Sequence, residues 1–163
     1  MKEAFTHKSL LILGRGIGQV MFQNNALSGL LMLIGIFLNS WQMGLLAVSG
    51  NIISTSTGRI SGYDRDDIKN GLYGFNGTLV GIAVGGFMHL TVNSLILMAI
   101  ASCASTYIAR FFNMQRMLPG FTTLFILSVW MLLGLCSWLM PDMLLVSDTE
   151  TPASRLSPFS IST

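Results

Sequence analysis

The sequence predicts an all-α integral membrane protein with about five transmembrane helices and one shorter or re-entrant helix. Three observations carry that reading. Hydrophobic residues make up 52% of the 163 residues and charged residues only 10%, against about 25% charged in an ordinary soluble domain. Charges are absent from three long blocks, residues 16–58, 71–109 and 117–141. A spanning helix takes about 20 mostly apolar residues, so the blocks hold about two, two and one crossings. With these five crossings, two in each of the first two blocks, the charged islands 1–15, 59–70 and 110–116 fall on one side, with eight of the nine basic residues and only Arg155 opposite. The positive-inside rule makes that side cytoplasmic.

The same arithmetic excludes other classes. A mean hydropathy of +0.64 is too high for a disordered chain. A net charge of +2 is too small to draw the chain to nucleic acid. Two cysteines, Cys103 and Cys136, make neither a disulfide framework nor a metal site. The apolar run 9–13 is too short for the core of a cleavable signal, so the first helix is expected to target the membrane itself. Three segments follow: a cytoplasmic N-terminal segment 1–15, a membrane domain 16–141 and a polar, disordered tail 142–163 rich in Ser, Thr and Pro.

Along the chain, residues 10–23 alternate Gly14, Gly16 and Gly18 with apolar and amide residues. That is poor for a lipid-facing helix and predicts a short or bent helix packed inside protein, with a break at Asn24 and Asn25. Residues 26–41 form a span, and residues 43–58 a more polar one that faces other helices. Gly77, Gly81 and Gly85 stand four apart, a doubled small-xxx-small pattern that lets another helix backbone approach closely. Residues 92–109 form a span ended by Arg110. The last, over 118–140, opens at Leu118-Pro119-Gly120 and carries Trp130 and Trp138, which are too far apart to lie at one depth.

The uncharged blocks also hold Gln19, Gln23, Asn24, Asn25, Asn51, Asn76 and Asn93. Amides in hydrocarbon are costly unless hydrogen-bonded, so they point to other helices or to a hydrated path. Proton-coupled carriers keep ionisable residues inside the membrane. Here His89 is the lone candidate apart from thiols and tyrosines. A path of amides, hydroxyls and carbonyls suits a small neutral polar solute. Gly14-x-Gly16-x-Gly18 lacks the preceding strand and the acidic partner of a dinucleotide site. Asn76-Gly77-Thr78 matches a glycosylation sequon by chance, at the start of an apolar block. No catalytic set stands at usable spacing, so the chain is read as a non-enzyme without cofactor or metal.

Three stretches resemble the urea transporter family: Arg15-Gly-Ile-Gly-Gln-Val-Met-Phe-Gln-Asn-Asn25 with Leu27-Ser28-Gly29, Gly71-Leu-Tyr-Gly-Phe-Asn-Gly-Thr-Leu-Val-Gly81, and Leu118-Pro-Gly-Phe-Thr-Thr-Leu-Phe125. In the third, Leu124 stands where the family's second signature proline belongs. The resemblance implies a passive urea channel built from two inverted halves around one pore, with subunits forming trimers. It implies that Gln19, Val20 and Phe22 lie near one urea site, that Leu79 lines the slot and that Thr122 supplies a hydroxyl at its narrow centre. Gly77, Gly81, Gly85 and Pro119 are expected to be packing residues. The resemblance covers about one of the two inverted-repeat halves. The chain is then a truncated product, a half-length protein that forms a pore as an inverted dimer, or an inactive fragment, and the tail after Pro141 favours the first. The alternative function is a non-transporting membrane scaffold that assembles through the Gly77/Gly81/Gly85 face.

Overall fold

The computed structural model describes residues 2–115, 123–139 and 144. Pro119 and Thr122, both singled out above, lie outside the described residues. Within them the regular elements are helices: α1 (Lys2–Gly18), a 3-10 turn (Gln19–Met21), α2 (Ala26–Asn39), α3 (Trp41–Ile60), α4 (Arg65–Lys69), α5 (Gly74–Phe87), α6 (Val92–Gln115) and α7 (Thr123–Leu139). An isolated bridge pairs Met88 with Leu144, and Leu144 packs against the same core as α5 and α7.

The junctions are written in short polar side chains. Asn25 ends the break before α2, its side chain accepting from the Leu27 N–H at 2.9 Å. Ser40 serves two helices at once. Its N–H closes α2 on the Ile36 carbonyl, and its hydroxyl accepts from the Met43 N–H to open α3. Asp64 caps α4 through the N–H groups of Asp66 and Asp67. Thr91 and Ser94 cap α6 reciprocally: Thr91 N–H donates to Ser94 Oγ at 2.9 Å, and Ser94 N–H to Thr91 Oγ1 at 3.3 Å. Such caps satisfy orphan N–H groups that would otherwise be left unpaired at each helix start.

The most extensive packing is α3 against α5. It is antiparallel and relies on missing side chains. A Cβ on Gly77 would strike the Gly50 carbonyl, one on Gly81 would strike the Leu46 carbonyl, and one on Gly85 would come within 3.0 Å of Met43 Cα. The four-residue glycine spacing therefore serves a contact inside this chain. The scaffold reading placed an intermolecular surface on that same face, and α3 already covers it. Above this seam, Leu46, Val80, Ala83, Val84, Met98, Val129 and Leu132 join α3, α5, α6 and α7 in one apolar cluster.

Large apolar side chains also cover the outside. Leu31, Leu38, Trp41, Ile100, Trp130, Met131 and Trp138 are all exposed. Among the described residues one helix, Val92–Phe111, is by itself long and apolar enough to cross a bilayer, and Lys8–Met21 with Ala26–Asn39 qualify as a pair bent by 74°. The predicted break at Asn24 and Asn25 is the vertex of that bend. Arg110 does not end α6, which continues to Gln115. Its guanidinium lies 5.3 Å over the Tyr63 ring, so the charge has a partner and the helix has no reason to stop.

Candidate functional site

A ladder of buried hydroxyls and amides runs through the middle of the bundle. Asn51 of α3 is fully buried. Its Nδ2 donates to the Leu13 carbonyl of α1 at 3.2 Å and to Thr78 Oγ1 of α5 at 2.9 Å. Its Oδ1 accepts from Thr55 Oγ1 at 3.2 Å. The amide fits because glycines flank it: a Cβ at Gly16 would lie 2.7 Å from Asn51 Nδ2, and one at Gly74 would lie 2.6 Å from Asn51 Oδ1. One side chain thus ties three helices together. One turn further along α3, Ser54 Oγ donates to the Tyr73 carbonyl at 2.7 Å and sits 2.6 Å from Thr106 Oγ1 of α6. Hydroxyls and amides without water survive only when paired in this way.

The predicted residues Gln19, Val20 and Phe22 fall on the 3-10 turn that reverses the chain. Gln19 Nε2 donates to the Asn70 carbonyl at 3.0 Å. That commits one of the amide's two N–H donors and orients its oxygen as an acceptor for another group. Asn24 Nδ2 donates to Asn70 Oδ1 at 3.0 Å, so Asn70 holds both ends of the turn. Gly71 follows with φ +77, its Cα side pressed against the backbone of Gly16. Phe22 adopts a left-handed φ of 57, and its ring is exposed. A bulky residue in that region is a strained conformer of the kind that gathers at functional sites. Asn70 was missed in the sequence, although the Asn70-Gly71 pair is itself a turn signal.

The 3-10 turn packs against α5. Leu79 is half-buried on α5 and shares a face with the half-buried Phe75 and Ile82. The α3 face of the same helix carries Gly77 and Gly81 instead. The structure therefore brings the Gln19–Met21 turn to the helix that carries Leu79. A cleft of about 520 Å³ lies between α1 and α2, lined by Leu13, Ile17, Leu27, Leu30 and Val48 among others. A smaller one, about 130 Å³, lies between α6 and α7. Neither is lined by Gln19, Val20, Phe22 or Leu79.

The charged islands meet at one end of the bundle. Arg15 Nη1 donates to the Lys69 carbonyl at 3.2 Å, and Arg110 caps Tyr63, whose ring is 5.3 Å from that of Tyr73 and 6.4 Å from that of Tyr107. All three tyrosines of the chain stand together there. Asp64 lies in this region. The N–H of Asp66, then that of Asp67, holds its carboxyl below the ordinary carboxylate value. Among the described residues no group of three or more His, Cys, Asp or Glu stands close enough to hold a metal ion.

These features define a helical protein whose interior combines an apolar cluster with a ladder of small and polar residues, and whose exterior carries bulky apolar residues. The chain belongs to the urea transporter family: the family model described as "Urea transporter" matches residues 10–158. It is 40% identical over 75 residues to urea transporter 1 of Mus musculus, covering 46% of this chain and 20% of that protein. It is 41% identical over 73 residues to urea transporter 1 of Rattus norvegicus, covering 45% and 19%. With urea transporter 1 of Ovis aries the identity is 43% over 68 residues, covering 42% and 18%. The matched stretch thus spans no more than a fifth of the length of these relatives.

Proposed function

We propose that this chain is one inverted-repeat half of a passive urea channel and is a transporter component rather than an enzyme. It sits in the plasma membrane as a multi-pass protein of about five spans, with its N-terminus and charged end on the cytoplasmic side. A second half-repeat or a further copy completes the pore, and subunits associate as oligomers, a trimer in the family. The membrane domain is 16–141, between the N-terminal segment 1–15 and the tail 142–163. Urea offers N–H donors and one carbonyl in a plane, and it crosses only where oxygens replace its water. Gln19 supplies such an oxygen, Val20, Phe22 and Leu79 hold the flat faces of the solute, and Thr122 adds a hydroxyl. Gly77, Gly81, Gly85 and Pro119 shape the surrounding helices.

The observation that carries this reading is the family match over residues 10–158. The Gln19 geometry supports it. One N–H of the amide is anchored to Asn70, which holds the side chain in place for its oxygen to accept. The test is urea efflux from proteoliposomes holding the purified chain. Flux above that of protein-free vesicles, lowered about fivefold by Gln19→Ala, is expected; that factor is the rate equivalent of one hydrogen bond of about 1 kcal/mol. Flux equal to protein-free vesicles contradicts conduction by this chain.

A further inference from the structure

Asn76 and Ser102 break the pattern of the polar ladder. Both side chains are fully buried. Yet Asn76 Oδ1, Asn76 Nδ2 and Ser102 Oγ have no hydrogen-bond partner among the described residues. Their neighbours Asn51, Ser54, Thr55, Thr78 and Thr106 are all paired. Leaving three polar atoms unmet in one small region is expensive, and native interiors rarely do so.

The positions of the two residues are fixed by the contact beside them. Ser54 Oγ touches both the Tyr73 carbonyl at the start of α5 and Thr106 Oγ1 of α6. The two helices are joined by the short segment 88–91 and run antiparallel. One turn up α5 from Tyr73 stands Asn76. One turn back along α6 from Thr106 stands Ser102, whose carbonyl accepts from Thr106 Oγ1 at 3.0 Å. The helix rise therefore puts residues 76 and 102 at one level of α5 and α6, one turn past the Ser54 contact. They do not bond each other.

We infer that Asn76 and Ser102 form a binding site for one internal water molecule. The donor and acceptor inventory fits. Water takes two to four partners. Asn76 offers one donor group and one acceptor, and Ser102 a hydroxyl that serves as either. Two water bonds of about 2.8 Å each join side chains that do not bond each other directly. A group of this size joins α5 to α6 without a larger side chain on either helix, in keeping with the hydroxyls and glycines that join α3 to α5.

The test is a double-mutant cycle on the full chain in detergent, with Asn76→Leu, Ser102→Ala and the pair. A shared water makes the losses overlap. Each single variant lowers the melting temperature by roughly 2–4 °C, and the double variant by no more than the worse single. Two separate unmet groups behave otherwise, because removing each one raises the melting temperature. Additive changes of either sign overturn the site. Ser102→Ala removes a single atom, which keeps the cycle readable if Asn76→Leu folds poorly, through a second observation. At high resolution the wild type shows an isolated density peak within about 3 Å of both side chains. A direct Asn76–Ser102 bond there overturns the site.

Discussion

Neighbouring helices α2 and α3 share the Ser40 junction but differ in composition and in which residues they hide. Helix α2 is apolar all round, yet Gly29 is its buried residue, and Leu30, Leu31, Ile34 and Leu38 are exposed. Helix α3 mixes Gly, Ser, Thr and Asn with apolar residues, yet it buries Gly44, Leu46, Ala47, Gly50, Asn51, Ser54, Thr55 and Gly58. In a water-soluble domain the apolar helix would be the central one. Here small and polar residues are hidden along α3 beside Leu46, and apolar bulk marks the exterior of α2. The inversion has a physical cause in the proposed bilayer setting. Lipid tails are as apolar as leucine, so hydrophobic burial does not draw helices together. Close backbone packing and interhelical hydrogen bonds do.

The largest effect expected from breaking this contrast is on the glycine seam. Gly81→Leu places a side chain where the Leu46 carbonyl stands and forces α3 from α5. A loss of about 3 kcal/mol is expected, seen as a collapse of thermal stability in detergent. Next comes Asn51→Leu, which keeps the branched shape but cuts the ties to Leu13 and Thr78. It should cost about 2 kcal/mol by the same measurement. By contrast, Leu31→Ala removes an exposed leucine of α2. In a water-soluble core such a truncation costs about 2–5 kcal/mol; here the change should stay within about 0.5 kcal/mol. A large loss at Leu31 would show that α2 is buried after all.

The smallest effect belongs to Asp64. Its carboxyl is held below the ordinary value of 3.8, first by the Asp66 N–H. A lowered folded-state pKa gives stability that is fully present above the ordinary value and lost as pH falls through the lowered one. Asp64→Asn should therefore differ slightly from the parent near neutral pH and converge with it in strong acid, as read by melting curves across pH.

Much of this contrast was legible in the sequence. Asn24 and Asn25 mark the bend because amides with no helical partner interrupt an apolar run. The row Gly77, Gly81 and Gly85 announced a close helix contact. Spacing does not say which helix fills such a row, and so the scaffold reading looked outside the chain for what α3 supplies within it. The bent segment 10–23 follows from its alternating glycines and Gln19 from the family resemblance, but the anchor Asn70 follows from neither. That bond joins positions 51 apart in sequence, and no periodicity links them. Arg110 marks the end of the apolar span, which closes at Phe111, but not the end of the helix, which runs on to Gln115. The ring that receives the Arg110 charge, Tyr63, comes from another segment.

The central claim is that the apolar outside of this bundle faces lipid while its polar inside does not. All three tryptophans of the chain lie on that outside, with Trp41 61% exposed, Trp130 71% and Trp138 80%. Tryptophan fluorescence in vesicles of brominated phosphatidylcholine reads the claim directly. Strong quenching by bromine on the acyl chains, with little quenching by aqueous iodide, is the result expected. Fluorescence untouched by brominated lipid and quenched by iodide would contradict it.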